Sequence, residues 1–452
     1  MSPPAPGGVR VAVFPIDAIG HVNPLLPIVQ ALAAHPEVAE VRSFGAARLA
    51  RAFTAAGACH VPVEDPAAPP PPPPGVSELA YRSFVLPLAI TERMTAHAAG
   101  FRPDVVLYDV FCVHGLVAAR ALGLPSASLV TFPGYGALGE HFAIQHGAAY
   151  DRLAPAGERY RELYGLDLLG EDFLPVLFPS PDLSIVTAVE SLSREVDAVT
   201  MPRLHAALSR YDGTCAFVGP SVGDVRFGFE PHDRLGRGFP YERLDAARRA
   251  GRSIVLFSLG TVLTGFRSGS PVGGAPTGRA YLAALLGHLV RVLGDRDDVL
   301  VVVATDAPPP AGEPRWPENF VVRAFLPQRE LLHGYADAFI THHGMNSTTE
   351  SILAGVPMVS VPGVGDQLPN AEIAISGGAA VALWDLHDVF ATLTADRLAL
   401  AVRQVLDDPS YREACLALRD RMTAAGGARR AAGLTVALAS RSFASRSLGS
   451  RS

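Results

Sequence analysis

Apolar positions along the chain fall into short runs separated by longer stretches of helical spacing. Val9–Phe14 is a β-branched apolar segment followed by a glycine-containing loop. From Asn23-Pro24 onward, Leu25, Leu26, Ile28, Val29 and Leu32 recur at the spacing of an amphipathic helix. The alternation returns as a strand at Asp104–Tyr108, a helix at Gly115–Leu122 and a strand at Ser126–Phe132. A second series opens at Ser253–Ser258 and continues through Val299–Ala304, Phe320–Ala324, Ala338–Thr341 and Met358–Val361, with helical patterns between. Short apolar strands separated by helices imply parallel sheets covered on both faces, so the fold class predicted is α/β with two doubly wound sheets.

At 452 residues the chain is too long for one ordinary core. Gly219–Arg252 is rich in Gly, Pro and charge without sustained periodicity, which is how an interdomain linker reads. The partition predicted is a first domain over 1–219, a linker over 220–252, a second domain over 253–425 and a terminal segment over 426–452. Pro69–Pro74 should form a stiff, exposed polyproline stretch, either a motif for a proline-recognising partner or an inert loop. Gly265–Gly278 reads as a mobile loop, and the Ser- and Arg-rich Ser440–Ser452 as a frayed tail.

Composition narrows the function classes. With 49% hydrophobic and 18% charged residues the chain is apolar enough to fold. A net charge of -6, from 38 basic and 44 acidic residues, lacks the basic excess that binding a nucleic-acid backbone requires. Cys59, Cys112, Cys215 and Cys415 are too widely spaced for a metal-ligand cluster. The amino terminus has no basic segment leading into an uninterrupted apolar run, and no stretch is long enough to span a bilayer. The expected location is the cytoplasm, as a monomer or homodimer.

Two places carry candidate chemistry. Thr341-His342-His343-Gly344-Met345-Asn346-Ser347-Thr348-Thr349-Glu350 reads as a strand end, a glycine turn and a helix start. Asn346 or Ser347 can cap that helix, whose amide groups and positive dipole end favour a diphosphate, and His342 could add a donor. Alone, this is also what an ordinary capped helix looks like. Phe257-Ser258-Leu259-Gly260-Thr261 is a strand-to-loop turn in which Gly260 permits close backbone approach and Ser258 or Thr261 supplies a hydroxyl. In the first domain, Gly20-His21-Val22-Asn23-Pro24 lies at the carboxyl edge of the first strand, where open α/β sheets bind ligands. A histidine titrating near neutrality can take the proton of an attacking hydroxyl. Asp109, directly after the strand Asp104–Tyr108, reaches the same edge and could orient the imidazole.

Phe325-x-Pro-Gln, His342-x-Gly-x-Asn-Ser-x-x-Glu350, Gly355-Val356-Pro357-Met358 and Asp366-Gln367-x-x-Asn370 together resemble the donor signature of the nucleotide-sugar glycosyltransferases. That family includes plant secondary-metabolite and bacterial macrolide glycosyltransferases, and the match is densest over 319–372. The resemblance implies a GT-B fold of two facing Rossmann-like domains. It implies that Phe325 stacks on the nucleobase, Gln328 lies against the nucleoside and Glu350 accepts from the ribose hydroxyls. His342, Gly344, Asn346 and Ser347 would hold the diphosphate, helped by Ser258, Gly260 and Thr261, while Asp366 and Gln367 would bind sugar hydroxyls. The Gly-His-x-Asn-Pro motif implies His21 as the catalytic base with Asp109 as partner. The family more often has Trp where this chain has Phe325, which widens the donors to UDP-glucose or a dTDP-deoxysugar.

The activity expected is inverting, metal-independent transfer from an NDP-sugar co-substrate to a hydroxyl of a small apolar natural product, without a cofactor. Phe132, Tyr135, His141 and Phe142 are candidate acceptor-pocket residues, or simply core. A sugar-nucleotide hydrolase, an epimerase or a non-catalytic auxiliary to a transferase would use a similar architecture. A dinucleotide-dependent oxidoreductase is disfavoured because Ile16-Asp17-Ala18-Ile19-Gly20-His21 is not a G-x-G-x-x-G turn.

Overall fold

The computed structural model describes residues 8–63, 71–74, 76, 78–135, 150–169, 177–192, 205, 211, 213–224, 238–260, 263, 265 and 267–449. The chain divides into two compact units, Met1–Gly228 with Met422–Ser452, and Phe229–Arg421.

The first unit is built on seven parallel strands: β1 (Val9–Phe14), β2 (Val38–Gly45), β3 (Cys59–Pro62), β4 (Val105–Asp109), β5 (Ser126–Val130), β6 (Leu183–Val186) and β7 (Cys215–Phe217). Their order across the sheet is β3-β2-β1-β4-β5-β6-β7, so the winding reverses between β1 and β4. Phe14 pairs with Tyr108 there, which brings the ends of these two strands side by side. Helix α1 (Ile19–Ala33) buries Val22, Leu25, Leu26, Ile28, Val29 and Leu32 against the sheet. It starts four residues before the Asn23-Pro24 predicted from sequence, with Ala18 at its amino-terminal cap and no side-chain hydrogen bond there. Pro24 and Pro27 therefore lie inside the helix. Helix α2 (Val113–Ala121) sits directly on β4, with a Cβ on Gly115 falling 2.1 Å from the Cβ of Tyr108.

The last helix, Gly427–Gly449, belongs to this same unit. Ala431, Ala432, Val436 and Ala439 are buried in the first core with α1, β1 and β4. The Ser- and Arg-rich end expected to fray is helical to Gly449.

The second unit repeats the plan with six parallel strands: β8 (Ser253–Ser258), β9 (Val299–Ala304), β10 (Phe320–Arg323), β11 (Ala338–Thr341), β12 (Met358–Ser360) and β13 (Ala380–Val381). The order β10-β9-β8-β11-β12-β13 reverses between β8 and β11, where Ser258 pairs with Thr341. Helix α3 (Gly278–Leu293) is capped by Thr277, whose hydroxyl accepts from the amide of Ala280, and buries Leu282, Leu285, Leu286, Leu289 and Leu293. The described part of Gly265–Gly278, expected from sequence to be a mobile loop, contains a hydrogen-bonded turn. Val272 and Ala275 pair around Gly273-Gly274 and are both buried, and the Gly273 amide donates to Gly363. Residues of the sequence-read linker also fold here: Tyr241–Arg249 is a helix whose Arg248 holds Asp337 and whose Tyr241 donates to Glu330.

Candidate active site

In open α/β sheets the crevice at the point of reversal, outside the carboxyl ends of the strands, is where ligands bind. In the first unit that point receives three side chains from three segments. His21 stands in the first turn of α1, Asp109 ends β4 and Thr131 follows β5. Asp109 Oδ2 lies 2.9 Å from His21 Nδ1, and Thr131 Oγ1 lies 3.1 Å from the same nitrogen. The other Asp109 oxygen accepts from the Phe111 amide at 2.9 Å, which fixes the carboxylate. Asp109 is buried, whereas 23% of the His21 side chain remains accessible, so the ring presents an open edge. A carboxylate only accepts, so Nδ1 carries the proton and Nε2 is the unprotonated ring nitrogen.

An aromatic row leads away from this ring. Phe111 meets His21 edge-on at 5.0 Å, Phe132 meets Phe111 at 6.2 Å, and Tyr135 meets Phe132 at 6.3 Å. Phe132 and Tyr135 are buried, and the Tyr135 hydroxyl is bound to Ser184 at 2.8 Å in the sheet interior. The other two acceptor candidates, His141 and Phe142, lie outside the described residues.

The second unit places most of the remaining candidates around its own reversal point. His342 follows β11 and is buried against the turn that leaves β8. Gly260 has φ +64°, and a Cβ there would stand 2.7 Å from the His342 ring. The Gly260 amide donates to Ser258 Oγ at 3.3 Å. Thr261 lies outside the described residues. Burial lowers the His342 pKa to about 4, so the ring is neutral at pH 7, and its buried Nδ1 has no hydrogen-bond partner among the described residues. His343 adopts φ +61°, uncommon outside glycine, and is locked by both ring nitrogens: Nδ1 at 3.1 Å from Thr348 Oγ1 and Nε2 at 2.8 Å from Ser360 Oγ.

Helix α4 (Gln328–Gly334) and helix α5 (Met345–Ala354) bring three predicted residues together. Gln328 Nε2 donates to Glu350 Oε2 at 2.9 Å and to Ser347 Oγ at 3.3 Å. Gly344, not Asn346 or Ser347, is the residue at the cap of α5, and it contributes no side chain. Asn346 and Ser347 lie inside the first turn, where backbone amides have no acceptor within the helix. That is the environment in which a helix end receives an anion. Phe325 sits in the loop before α4 with 58% of its surface exposed, unusual for a large apolar side chain.

Asp366 and Gln367 begin helix α6 (Gln367–Ser376). Gln367 Oε1 is occupied by the amides of Gly363 and Val364, at 2.9 and 3.1 Å, so this side chain shapes the loop ahead of its helix. Asn370 donates to Asp366 Oδ2 at 3.0 Å and to the His343 carbonyl at 2.9 Å, tying α6 to the His342-His343-Gly344 turn. Sequence reading had not singled out Thr131, Phe111 or His343. Among the described residues there is no group of three or more His, Cys, Asp or Glu placed to hold a metal ion, and no helix long and apolar enough to cross a membrane.

Known proteins resemble this chain in sequence and in fold. Residues 310–422 match the family model described as UDP-glucoronosyl and UDP-glucosyl transferase. An oleandomycin glycosyltransferase of Streptomyces antibioticus is 27% identical over 436 residues, 94% of this chain and 90% of the relative. The NDP-glycosyltransferase YjiC of Bacillus licheniformis is 25% identical over 456 residues, 94% of this chain and 96% of the relative. Among solved structures, the glycotransferase of kitacinnamycin superposes with a TM-score of 0.70 at 25% identity, covering 96% of this chain and all of that one. With two Rossmann-type sheets that match GT-B structures and relatives spanning most of its length, this chain is a glycosyltransferase, and its residues 310–422 resemble the UDP-glucoronosyl and UDP-glucosyl transferases.

Proposed function

We propose that the enzyme moves a sugar from a UDP- or dTDP-linked donor to a hydroxyl of a small, largely apolar natural product, with inversion at the anomeric carbon. The observation that carries this reading is the 2.9 Å contact between His21 Nδ1 and Asp109 Oδ2. With Nδ1 protonated toward the carboxylate, Nε2 takes the acceptor proton as its oxygen attacks, and the nucleotide diphosphate leaves from the opposite face. One displacement inverts the configuration. Asp109 stabilises the imidazolium that forms.

The donor is assigned to the second unit. Phe325 would stack on the base and Glu350 would accept from the ribose. The first turn of α5, with His342, would meet the diphosphate. Because leaving-group charge is met by amides and a neutral imidazole, the reading needs no divalent ion. UDP-glucose is the first donor expected, with Asp366 and Gln367 toward the sugar, and a dTDP-deoxysugar the alternative. The row Phe111, Phe132 and Tyr135 beside His21 supports an aromatic or polyketide-like acceptor bound in the first unit. We place the enzyme in the cytoplasm, where such donors are made.

The test is product analysis by mass spectrometry, with UDP- and dTDP-sugars offered against phenols and macrolides, for the parent and His21→Ala. The variant should retain donor binding and lose transfer by about two to four orders of magnitude. Equal transfer by both proteins removes His21 from the mechanism. Nucleotide release without any adduct across the panel would instead favour a hydrolase.

A further inference from the structure

We propose that Thr131 is a positioning residue for His21, accepting the second branch of a forked hydrogen bond from the Nδ1 proton; the inference rests on His21 acting as the base. Asp109 Oδ2 and Thr131 Oγ1 approach the same nitrogen, at 2.9 and 3.1 Å. Only one proton can sit on Nδ1, and the carboxylate cannot donate, so the threonine hydroxyl also accepts from that proton and directs its own elsewhere. Thr131 is buried and follows β5, the neighbour of β4 in the sheet, so the ring is held from two adjacent strand ends. A single acceptor leaves an imidazole free to pivot about one contact, and two acceptors on different strands remove that freedom.

The second acceptor also favours the imidazolium, since a hydrogen bond strengthens when its donor becomes charged. Among the described residues, neither Cys112 nor Asp17 competes for the ring. Cys112, beside Asp109, is buried and its thiol is pushed up to about 12, so it stays neutral. Asp17, in the loop ahead of α1, is engaged by Arg48. Phe111 presents a ring edge and no charge.

Thr131→Val keeps the branched shape and removes the hydroxyl, while Thr131→Ser keeps the hydroxyl. The His21 ring nitrogens are followed by NMR titration of histidine-labelled protein, assigned by their loss in His21→Ala, beside the pH profile of transfer. Thr131→Val should lower the titration midpoint of His21 and the acid limb of the rate profile by about half a pH unit. It should reduce kcat several-fold with donor KM unchanged, and Thr131→Ser should restore all three. A Thr131→Val ring that titrates with the parent overturns the proposal. So does a loss expressed in KM alone, which would make Thr131 a substrate contact. If His21→Ala transfers as well as the parent, the base assignment fails, while the ring titration still decides whether Thr131 holds His21.

Discussion

Gly260 packs so closely under His342 that no other residue fits without moving the ring: a Cβ would lie 2.7 Å from both Cε1 and Nε2. The backbone there is also left-handed, at φ +64°, so a side chain adds strain to the clash. Gly260→Ala should weaken UDP and dTDP binding about tenfold or more, read by calorimetry, and lower stability by about 1–2 kcal/mol. Unchanged nucleotide affinity would separate His342 from the donor.

Phe325 is 58% exposed and therefore contributes little to folding. Phe325→Ala should leave the melting temperature within a degree or two of the parent and weaken nucleotide binding about tenfold, the usual scale for losing one base–aromatic stack. A large drop in melting temperature with no change in affinity would make Phe325 a packing residue.

Glu350 is buried and its Oε2 accepts from the Gln328 side-chain amide, so the carboxylate is already oriented before any ligand binds. If it accepts from ribose hydroxyls, Glu350→Gln should cost more with UDP, which has two, than with dTDP, which has one. Titration of both nucleotides into parent and variant gives the ratio directly. Equal losses would place the carboxylate away from the ribose.

Three histidines are held neutral by burial: His114 and His342 with pKa values lowered to about 4, and His343 to about 3. In the unfolded chain each titrates near 6.5. Between roughly pH 6.5 and 4 the unfolded state therefore binds more protons, and stability must fall as the pH is lowered through that window. Above about pH 7 these groups contribute no further change. Urea unfolding at half-unit steps from pH 4 to 8 should show this slope. His343→Asn, which tolerates the left-handed backbone, should flatten it by about one proton.

The order of the sheets explains what could be read beforehand. β1, β4 and β8 through β11 are built largely on buried Val, Leu, Ile or Phe and were visible as such, as were β5 and β12, which mix such residues with Ser, Ala or Met. β2 carries Glu40 and Arg42, β3 contains His60 and a proline, β6 is interrupted by Ser184, β7 is only half-buried, and β13 spans only 2 residues. Such strands lack a run long or apolar enough to stand out. The meeting of His21 with Asp109 could be anticipated because one stands at the start of the helix after β1 and the other ends β4, and the sheet makes those strands neighbours. Thr131 follows a strand too, but a threonine after a strand carries no distinguishing mark. The turn at Val272–Ala275 was hidden for the opposite reason: its Gly and Pro content is that of a loop, and only two apolar side chains anchor it.

The carboxyl-terminal helix Gly427–Gly449 completes the core begun by β1 and α1. On the ribosome, the first unit therefore waits until residues 427–449 have emerged, while Phe229–Arg421 precedes them and can finish folding earlier. The amino-terminal half must persist through that interval with an apolar face of α1 uncovered, which makes it the part most in need of a chaperone. A fragment ending before residue 427 should be recovered chiefly as aggregate.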